Sequence, residues 1–184
     1  MVAVLVSSIG YPGADAVQWV FATTNIIHIR ALNYFIDIQK HLDKIRDMPR
    51  TFDQRTLHYT AQCCLALGLL YYMHQYAGDP TILGKPALGC TKMIMTHLRT
   101  TLSIVLPSLI TQDLDVNSEP FRGYSNIHLW GLFLGAQAER ANSKLFHNPS
   151  KSWFSTMFWA LAGKLGLCSW LEVKERVSRY IEND

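Results

Sequence analysis

The sequence of 184 residues contains few charged side chains, which account for 17% of it against roughly one-quarter in an ordinary globular chain. Its formal net charge is only +3, and the basic residues are scattered along the chain. Proteins that read nucleic acid usually carry a basic patch or stripe. We therefore expect no sequence-specific DNA binding by this chain. Because 49% of the residues are hydrophobic, the composition excludes a disordered chain and leaves apolar surface for a protein partner.

The cysteines and histidines lack the spacing of a metal site. None of the cysteines forms a CxxC pair, and no two of the seven histidines lie three or four residues apart. Zinc sites usually take closely spaced pairs of ligands, so we predict no bound metal. The four cysteines are expected to be small buried hydrophobic residues, and reduced thiols fit an intracellular compartment. They are Cys63, Cys64, Cys90 and Cys168.

Motifs of catalysis and cofactor binding are also missing. The chain contains neither GxGxxG nor GxSxG, and in the glycine-rich segment LGKPALG, residues 83–89, the lysine is followed by proline. A phosphate-binding loop needs Lys-Ser or Lys-Thr after its glycines. The sequence therefore predicts no enzyme and no cofactor.

No membrane association is predicted either. The longest apolar stretch, Cys63 to Met73, is about half of the roughly 20 residues that a membrane span requires. The N-terminus has no basic region of the kind that precedes a signal sequence, and the chain opens on VAVLV without a polar lead. We expect residues 1–184 to form one helical domain that is the C-terminal portion of a larger domain.

Apolar residues recur at helical spacing along most of the chain, and capping residues divide them into six segments. The predicted helices cover about residues 16–48, 51–77, 90–106, 125–141, 149–166 and 169–181. The second helix is expected to start at a capping box at Thr51, and the third to end at Pro107. The fourth is expected to start at Ser125 or Asn126, and the fifth at Asn148 before Pro149. A capping box of Ser169 and Glu172 is expected to start the sixth. The only strand signal is at Val2 to Val6. The predicted class is all-α, an irregular bundle of about six helices.

Aromatic residues concentrate in the last third. Trp130 and Phe133 are three residues apart and share a helical face, while Gly131 and Gly135 form a flat face that another helix can approach closely. Trp153 begins a stripe on the next helix with Phe154 beside it. The last helix is expected to turn Trp170 inward with two valines, so that Trp130, Trp153 and Trp170 form one cluster. Core packing alone would account for all of these residues.

The amino-acid sequence of this segment resembles the C-terminal end of the fungal-specific transcription factor domain, the helical regulatory region of fungal zinc-cluster activators and repressors. The likeness covers about residues 124–184 and is carried by three motifs. They are Leu129, Trp130, Leu132, Phe133, Gly135 and Ala136; Trp153 and Phe154; and Leu165, Gly166, Leu167, Ser169, Trp170, Glu172 and Val173. The chain lacks the six-cysteine zinc cluster that reads DNA in that family.

The resemblance implies a non-enzymatic regulatory or interaction domain that acts in transcription regulation, in the nucleus. Its partners would be other proteins or the missing N-terminal part of a longer chain, and a small-molecule effector fits the same role. One alternative is a helical small-molecule-binding protein, or an enzyme of fungal secondary metabolism, with a pocket lined by the aromatic helices. Another is a truncated gene product without independent function.

Overall fold

The computed structural model describes residues 14–46, 54–76, 88–111, 118, 121–141 and 152–178, and these ranges contain six α-helices and no strand. The predicted all-α class is therefore confirmed. The strand signal at Val2 to Val6 and the capping box at Thr51 lie outside the described residues. The helices are α1 (Ala14–Arg46), α2 (Gln54–Tyr76), α3 (Leu88–Thr111), α4 (Phe121–Ala141), α5 (Trp153–Lys164) and α6 (Trp170–Ser178).

Two helices occupy the middle of the bundle. Helix α2 packs against α1, α3 and α4, and helix α4 packs against α2, α3, α5 and α6. Both are buried on more than one side, so neither has the single apolar stripe of a surface helix. In α2 the adjacent Cys63 and Cys64 are both fully buried, although they point about 100° apart. The core lies between α2, α3 and α4.

Helix α3 continues through Pro107 to Thr111, so the predicted end at Pro107 is wrong. A proline inside a helix removes one backbone hydrogen bond and usually bends or breaks the helix. Here the apolar face continues across it, since Leu102, Leu106 and Leu109 are all buried in the core. Packing on both sides of the proline therefore outweighs the lost hydrogen bond.

Helix α4 begins at Phe121, before the predicted caps at Ser125 and Asn126. The backbone carbonyl of Ser118 accepts hydrogen bonds from the backbone N–H groups of Phe121 and Arg122, at 2.8 and 3.0 Å. Ser125 is fully buried inside the helix, and the side-chain oxygen of Asn126 accepts a hydrogen bond from Arg176 at 3.2 Å. Neither caps the helix, because the backbone is already helical ahead of both.

Helix α5 begins at Trp153, because Ser152 still has extended backbone angles, φ −69° and ψ 104°. The predicted cap at Asn148 and helix start at Pro149 lie outside the described residues. The helix ends at Lys164, close to the predicted end. Gly166 has a φ of +71°, and the two hydrogen bonds of a Schellman motif close the end, from Gly166 N–H to the Gly163 carbonyl and from Leu167 N–H to the Ala162 carbonyl. Helix α6 begins after five intervening residues.

Candidate functional site: helix α4 and the helices around it

Two glycines receive aromatic rings where helices come closest. A Cβ atom added at Gly135 of α4 would overlap the ring of Phe154, at the start of α5. A Cβ atom added at Gly68 of α2 would overlap the ring of Trp130, which projects from α4. Both rings are buried. Only glycine leaves room for them, so these two contacts fix the spacing of α4 from α5 and from α2.

Gly131 faces a different neighbour from Gly135. A Cβ atom there would lie 3.4 Å from Cys64 Sγ on α2 and 3.5 Å from Leu98 Cδ1 on α3. These are close to ordinary van der Waals separations, so this position has space for a small side chain. The expected flat face formed by both glycines is therefore two separate contacts, of which only Gly135 allows a close approach.

Glu139 of α4 caps the N-terminus of α5 from the neighbouring helix. Its carboxylate accepts hydrogen bonds from Phe154 N–H at 3.1 Å and from Ser155 N–H and Oγ at 3.4 Å each. Ser152, the residue at the usual capping position, makes no side-chain cap. A carboxylate near the first N–H groups of a helix also interacts favourably with the helix dipole. The sequence analysis missed Glu139, because its partners lie about fifteen residues further along the chain.

Ser169 and Glu172 form a capping box at the start of α6. Glu172 N–H donates to Ser169 Oγ at 3.3 Å, and the Glu172 carboxylate accepts from the N–H groups of Ser169 at 3.3 Å and of Cys168 at 2.7 Å. This reciprocal pairing satisfies backbone donors that a helix start leaves open. It defines where the chain turns from α5 into α6.

The three tryptophans have different surroundings, so the expected single cluster is wrong. The ring of Trp130 is buried and stacks on Tyr72 of α2, at 6.3 Å between centroids. Trp153 is half-buried, and the Arg99 guanidinium lies 5.1 Å from its ring centroid. Trp170 is 53% exposed and does not turn inward as predicted. In α6 only Val173 and Val177 are buried, because the helix rests on α4 along that narrow edge.

Four aromatic rings form a row across α4, α5 and α6. From the exposed Trp170, the row passes to the half-buried Phe133 at 5.8 Å, to the buried Phe158 at 6.2 Å, and to Trp159 at 5.2 Å, all between ring centroids. Trp159 is 59% exposed, and Leu171 beside Trp170 is 75% exposed. This aromatic row (Trp159, Phe158, Phe133 and Trp170) thus reaches solvent at both ends.

A small cluster of polar side chains is buried between α2 and α4. Thr60, Ser125 and His128 are all fully buried, and Thr60 Oγ1 lies 2.9 Å from His128 Nε2. Ser125 Oγ and His128 Nδ1 have no hydrogen-bond partner among the described residues. Burial lowers the pKa of His128 to about 4, and the nearby Tyr124 carbonyl offsets only part of this shift. The imidazole is therefore neutral at pH 7.

The cysteines divide into two environments. Cys63 and Cys64 are buried as expected, and burial raises the pKa of the Cys63 thiol to about 12 and that of Cys64 well above its usual range. Such thiols are unreactive because the thiolate is the nucleophile. Cys168 is exposed, which corrects the expectation that it is buried, and Cys90 lies outside the described side chains. Within the described ranges no three His, Cys, Asp or Glu residues come together to hold a metal ion.

One helix among the described residues, Thr91–Thr111 in α3, is long and apolar enough to cross a membrane. This feature is weak, because core helices have the same composition. Leu98, Leu102, Val105 and Leu109 of this helix are fully buried in the bundle. Contacts within the protein account for these side chains, while Met93 and Ile104 of the same helix are exposed.

Comparisons with known protein families, with curated proteins and with solved structures find no match to this chain. The resemblance of residues 124–184 to the fungal-specific transcription factor domain therefore stays a hypothesis.

Proposed function

We propose that this chain is a non-enzymatic regulatory domain that acts in the nucleus through protein contacts, as the C-terminal part of a fungal transcription factor domain would. The observation that carries this proposal is the aromatic row, which exposes Trp159 and Trp170 on the segment with the family likeness. Tryptophan is enriched among the residues that contribute most to protein interfaces, and contiguous exposed apolar patches often mark interaction sites.

The row also has a rigid support, which a contact site needs. Phe133 projects from α4, Phe158 from α5 and Trp170 from α6, and each helix start is fixed by hydrogen bonds. A partner that covers Trp159 and Trp170 would bury apolar surface at little cost in side-chain entropy, since the rings already contact their neighbours. Partners would be other proteins or a preceding part of a longer chain, and DNA contact would belong to a separate module.

A transcription reporter tests this function. The chain is fused to an unrelated DNA-binding module in a fungal cell whose reporter carries the site for that module. We expect the fusion to change reporter output relative to the module alone, and we expect the double variant Trp159→Ser/Trp170→Ser to lose this change. The matched control is Leu65→Ser/Leu69→Ser, which removes exposed apolar side chains from α2, outside residues 124–184. An inert fusion, or equal loss in both variants at equal protein levels, contradicts the proposal.

A second candidate function, small-molecule binding, is favoured by the buried Ser125 Oγ, which has no hydrogen-bond partner among the described residues. Unsatisfied buried polar atoms are rare and often mark a bound water or ligand. A polar metabolite held there would raise the melting temperature at saturating concentration. A thermal-shift panel on the parent and on Ser125→Ala separates the two functions, because ligands of this site should stabilise the parent more than the variant.

A further inference from the structure

Helix α1 carries an apolar seam on the face that points away from the bundle. Its residues are spaced alternately three and four apart, which is the spacing that keeps one line of side chains on one side of a helix. The large members are well exposed: Trp19 by 66%, Ile26 by 52%, Ile29 by 56% and Ile36 by 43%. We name this line the outer seam: Trp19, Ala22, Ile26, Ile29, Asn33 and Ile36.

The opposite face of the same helix carries a second apolar seam, and that seam packs against a neighbouring helix. Ala31, Phe35, Ile38 and Leu42 have the same alternating spacing, and all four are buried where α1 packs on α2. Ile29 and Ala31 are two residues apart, which places the two seams about 200° apart around the helix. The outer seam therefore has the pattern of a helix–helix contact, without a helix on it among the described residues.

The outer seam also lacks the charges of a solvated helix face. No Asp, Glu, Lys or Arg occurs between Asp15 and Arg30. Surface helices normally place charged residues on the side opposite the core. The exposed ion pair of this helix, Lys40 with Asp37 at 2.9 Å, lies beyond Ile36, where the seam ends. Apart from Arg30, the charged residues that follow Asp15 in α1 all lie beyond Ile36.

We propose that the outer seam of α1 is a self-association surface, on which α1 of a second copy packs in parallel as a two-stranded coiled coil. Asn33 points to a second copy as the occupant. It is the one polar member of the seam. In the heptad register that places Ile26 at position a and Ile29 at position d, Asn33 is at position a of the next heptad. A buried Asn there is matched by an identical Asn across a two-fold axis, which fixes register and limits the assembly to two strands.

The flanking positions and the size of the seam agree with a dimer. In parallel pairing, Asn25 would lie beside Arg30 of the second copy, and Leu32 beside its Asp37, so no like charges meet. The seam is about 25 Å long at 1.5 Å per residue. Its exposed apolar area is roughly 500 Å² per copy, which gives about 1,000 Å² for two copies, the lower limit for a specific interface.

Sedimentation of the full chain at increasing concentration tests this inference without reference to the proposed function. We expect a reversible monomer–dimer equilibrium. Ile26→Glu should raise the dimer dissociation constant by at least about tenfold, because it buries a charge in the centre of the seam. Ile27→Glu is the matched control: the same substitution, one residue away, at a side chain that is 41% exposed but off the seam. A parent that stays monomeric, or equal weakening by both variants, overturns the proposal.

Cross-linking then tests the parallel register. In a Cys168→Ser background, Ile36→Cys should form a disulfide-linked dimer under mild oxidation, because a position at the end of the seam faces its counterpart only in a parallel pair. Ile27→Cys should not, and the background alone measures any contribution from other thiols. Asn33→Ile should tighten the association and shift it towards three or more strands. If the seam is covered by another part of the same chain, the parent will be monomeric and Ile36→Cys will not cross-link between copies, which also contradicts the proposal.

Discussion

Helices α1 and α4 both carry large apolar side chains, but they differ in how many neighbours cover them. Helix α4 packs against four other helices, and its Leu129, Leu132 and Leu134 are fully buried. Helix α1 is the longest helix and packs mainly against α2, so that its Ile26 and Ile29 are half-exposed. Apolar content alone therefore does not tell a core helix from an edge helix. The difference lies in which positions have a packing partner.

The largest effect is expected at the contact between α4 and α2. Trp130→Ala should lower the free energy of unfolding by about 3–5 kcal/mol, because it removes a buried indole and leaves a cavity against Gly68. Domains of this size have only about 5–15 kcal/mol in total, so the variant should be partly unfolded or poorly soluble. Chemical denaturation beside the parent measures the loss. A value below about 1 kcal/mol would show that α4 is not central to stability.

The second effect concerns the buried imidazole of α4. Burial holds the pKa of His128 near 4, below the 6.5 of an unfolded chain, so the unfolded state binds more protons between these values. Stability is therefore complete above pH 6.5 and is lost as the pH falls towards 4. Between pH 7 and pH 5 we expect a loss of about 2 kcal/mol from this group.

His128→Gln tests that assignment, since glutamine does not titrate and can still meet Thr60. Denaturation curves at pH 7 and pH 5 should differ less for the variant than for the parent. Some pH dependence should remain, because burial and His28 also lower the pKa of His74. An equally steep pH dependence in both proteins would mean that His128 is not the group responsible.

Part of this arrangement could be predicted from the sequence, namely the features that depend on neighbours in the chain. The Ser169–Glu172 capping box depends on residues only three positions apart. The cap by Glu139 and the contact of Gly68 with Trp130 join residues far apart in the chain, so local patterns do not reveal them. A glycine inside the apolar pattern of α2 was the available signal, since such a glycine often marks a close approach.

The two wrong predictions, at Pro107 and Trp170, also concern features that depend on residues distant in the chain. Pro107 and Trp170 were assigned from the usual behaviour of their residue types, which predicts a helix end and a buried ring. In the structure, core packing continues α3 through the proline, and the narrow contact of α6 leaves the indole exposed. Tertiary contacts determine both the continuation of α3 and the exposure of Trp170, and local sequence patterns do not predict those contacts.

The third prediction separates the two glycines of α4. Gly135→Ala should cost about 1–3 kcal/mol, because its Cβ atom overlaps the Phe154 ring and that ring sits at a helix start fixed by Glu139. Gly131→Ala has nearly ordinary space, and alanine gains up to about 1 kcal/mol of helix propensity over glycine, so we expect little change or a small gain. Denaturation of the two variants gives the difference directly. Equal effects would mean that the close approach at Gly135 does not determine the packing.

The fourth prediction concerns the cap that α4 gives to α5. Glu139→Ala should cost about 1 kcal/mol, because it leaves the N–H groups of Phe154 and Ser155 without their acceptor. Glu139→Gln should cost less, since an amide oxygen can still accept one bond. The control is Arg140→Ala at the exposed neighbouring position. If Arg140→Ala is as costly as Glu139→Ala, the cap does not contribute.

The smallest effect is expected on α1, at Ile36 on the outer seam. This side chain is 43% exposed, so Ile36→Ala in dilute protein should cost less than about 1 kcal/mol. Ile38, two residues further on, is 4% exposed against α2, and Ile38→Ala should cost about 2–5 kcal/mol. The difference between these two Ile→Ala substitutions thus measures how much the packing of α2 on α1 contributes to the free energy of unfolding. Repeating the denaturation at high protein concentration sharpens the comparison, because dimerisation stabilises the folded state by mass action. The cost of Ile36→Ala should then rise with concentration while that of Ile38→Ala stays constant, and a concentration-independent Ile36→Ala would place α1 at a free edge of a monomer.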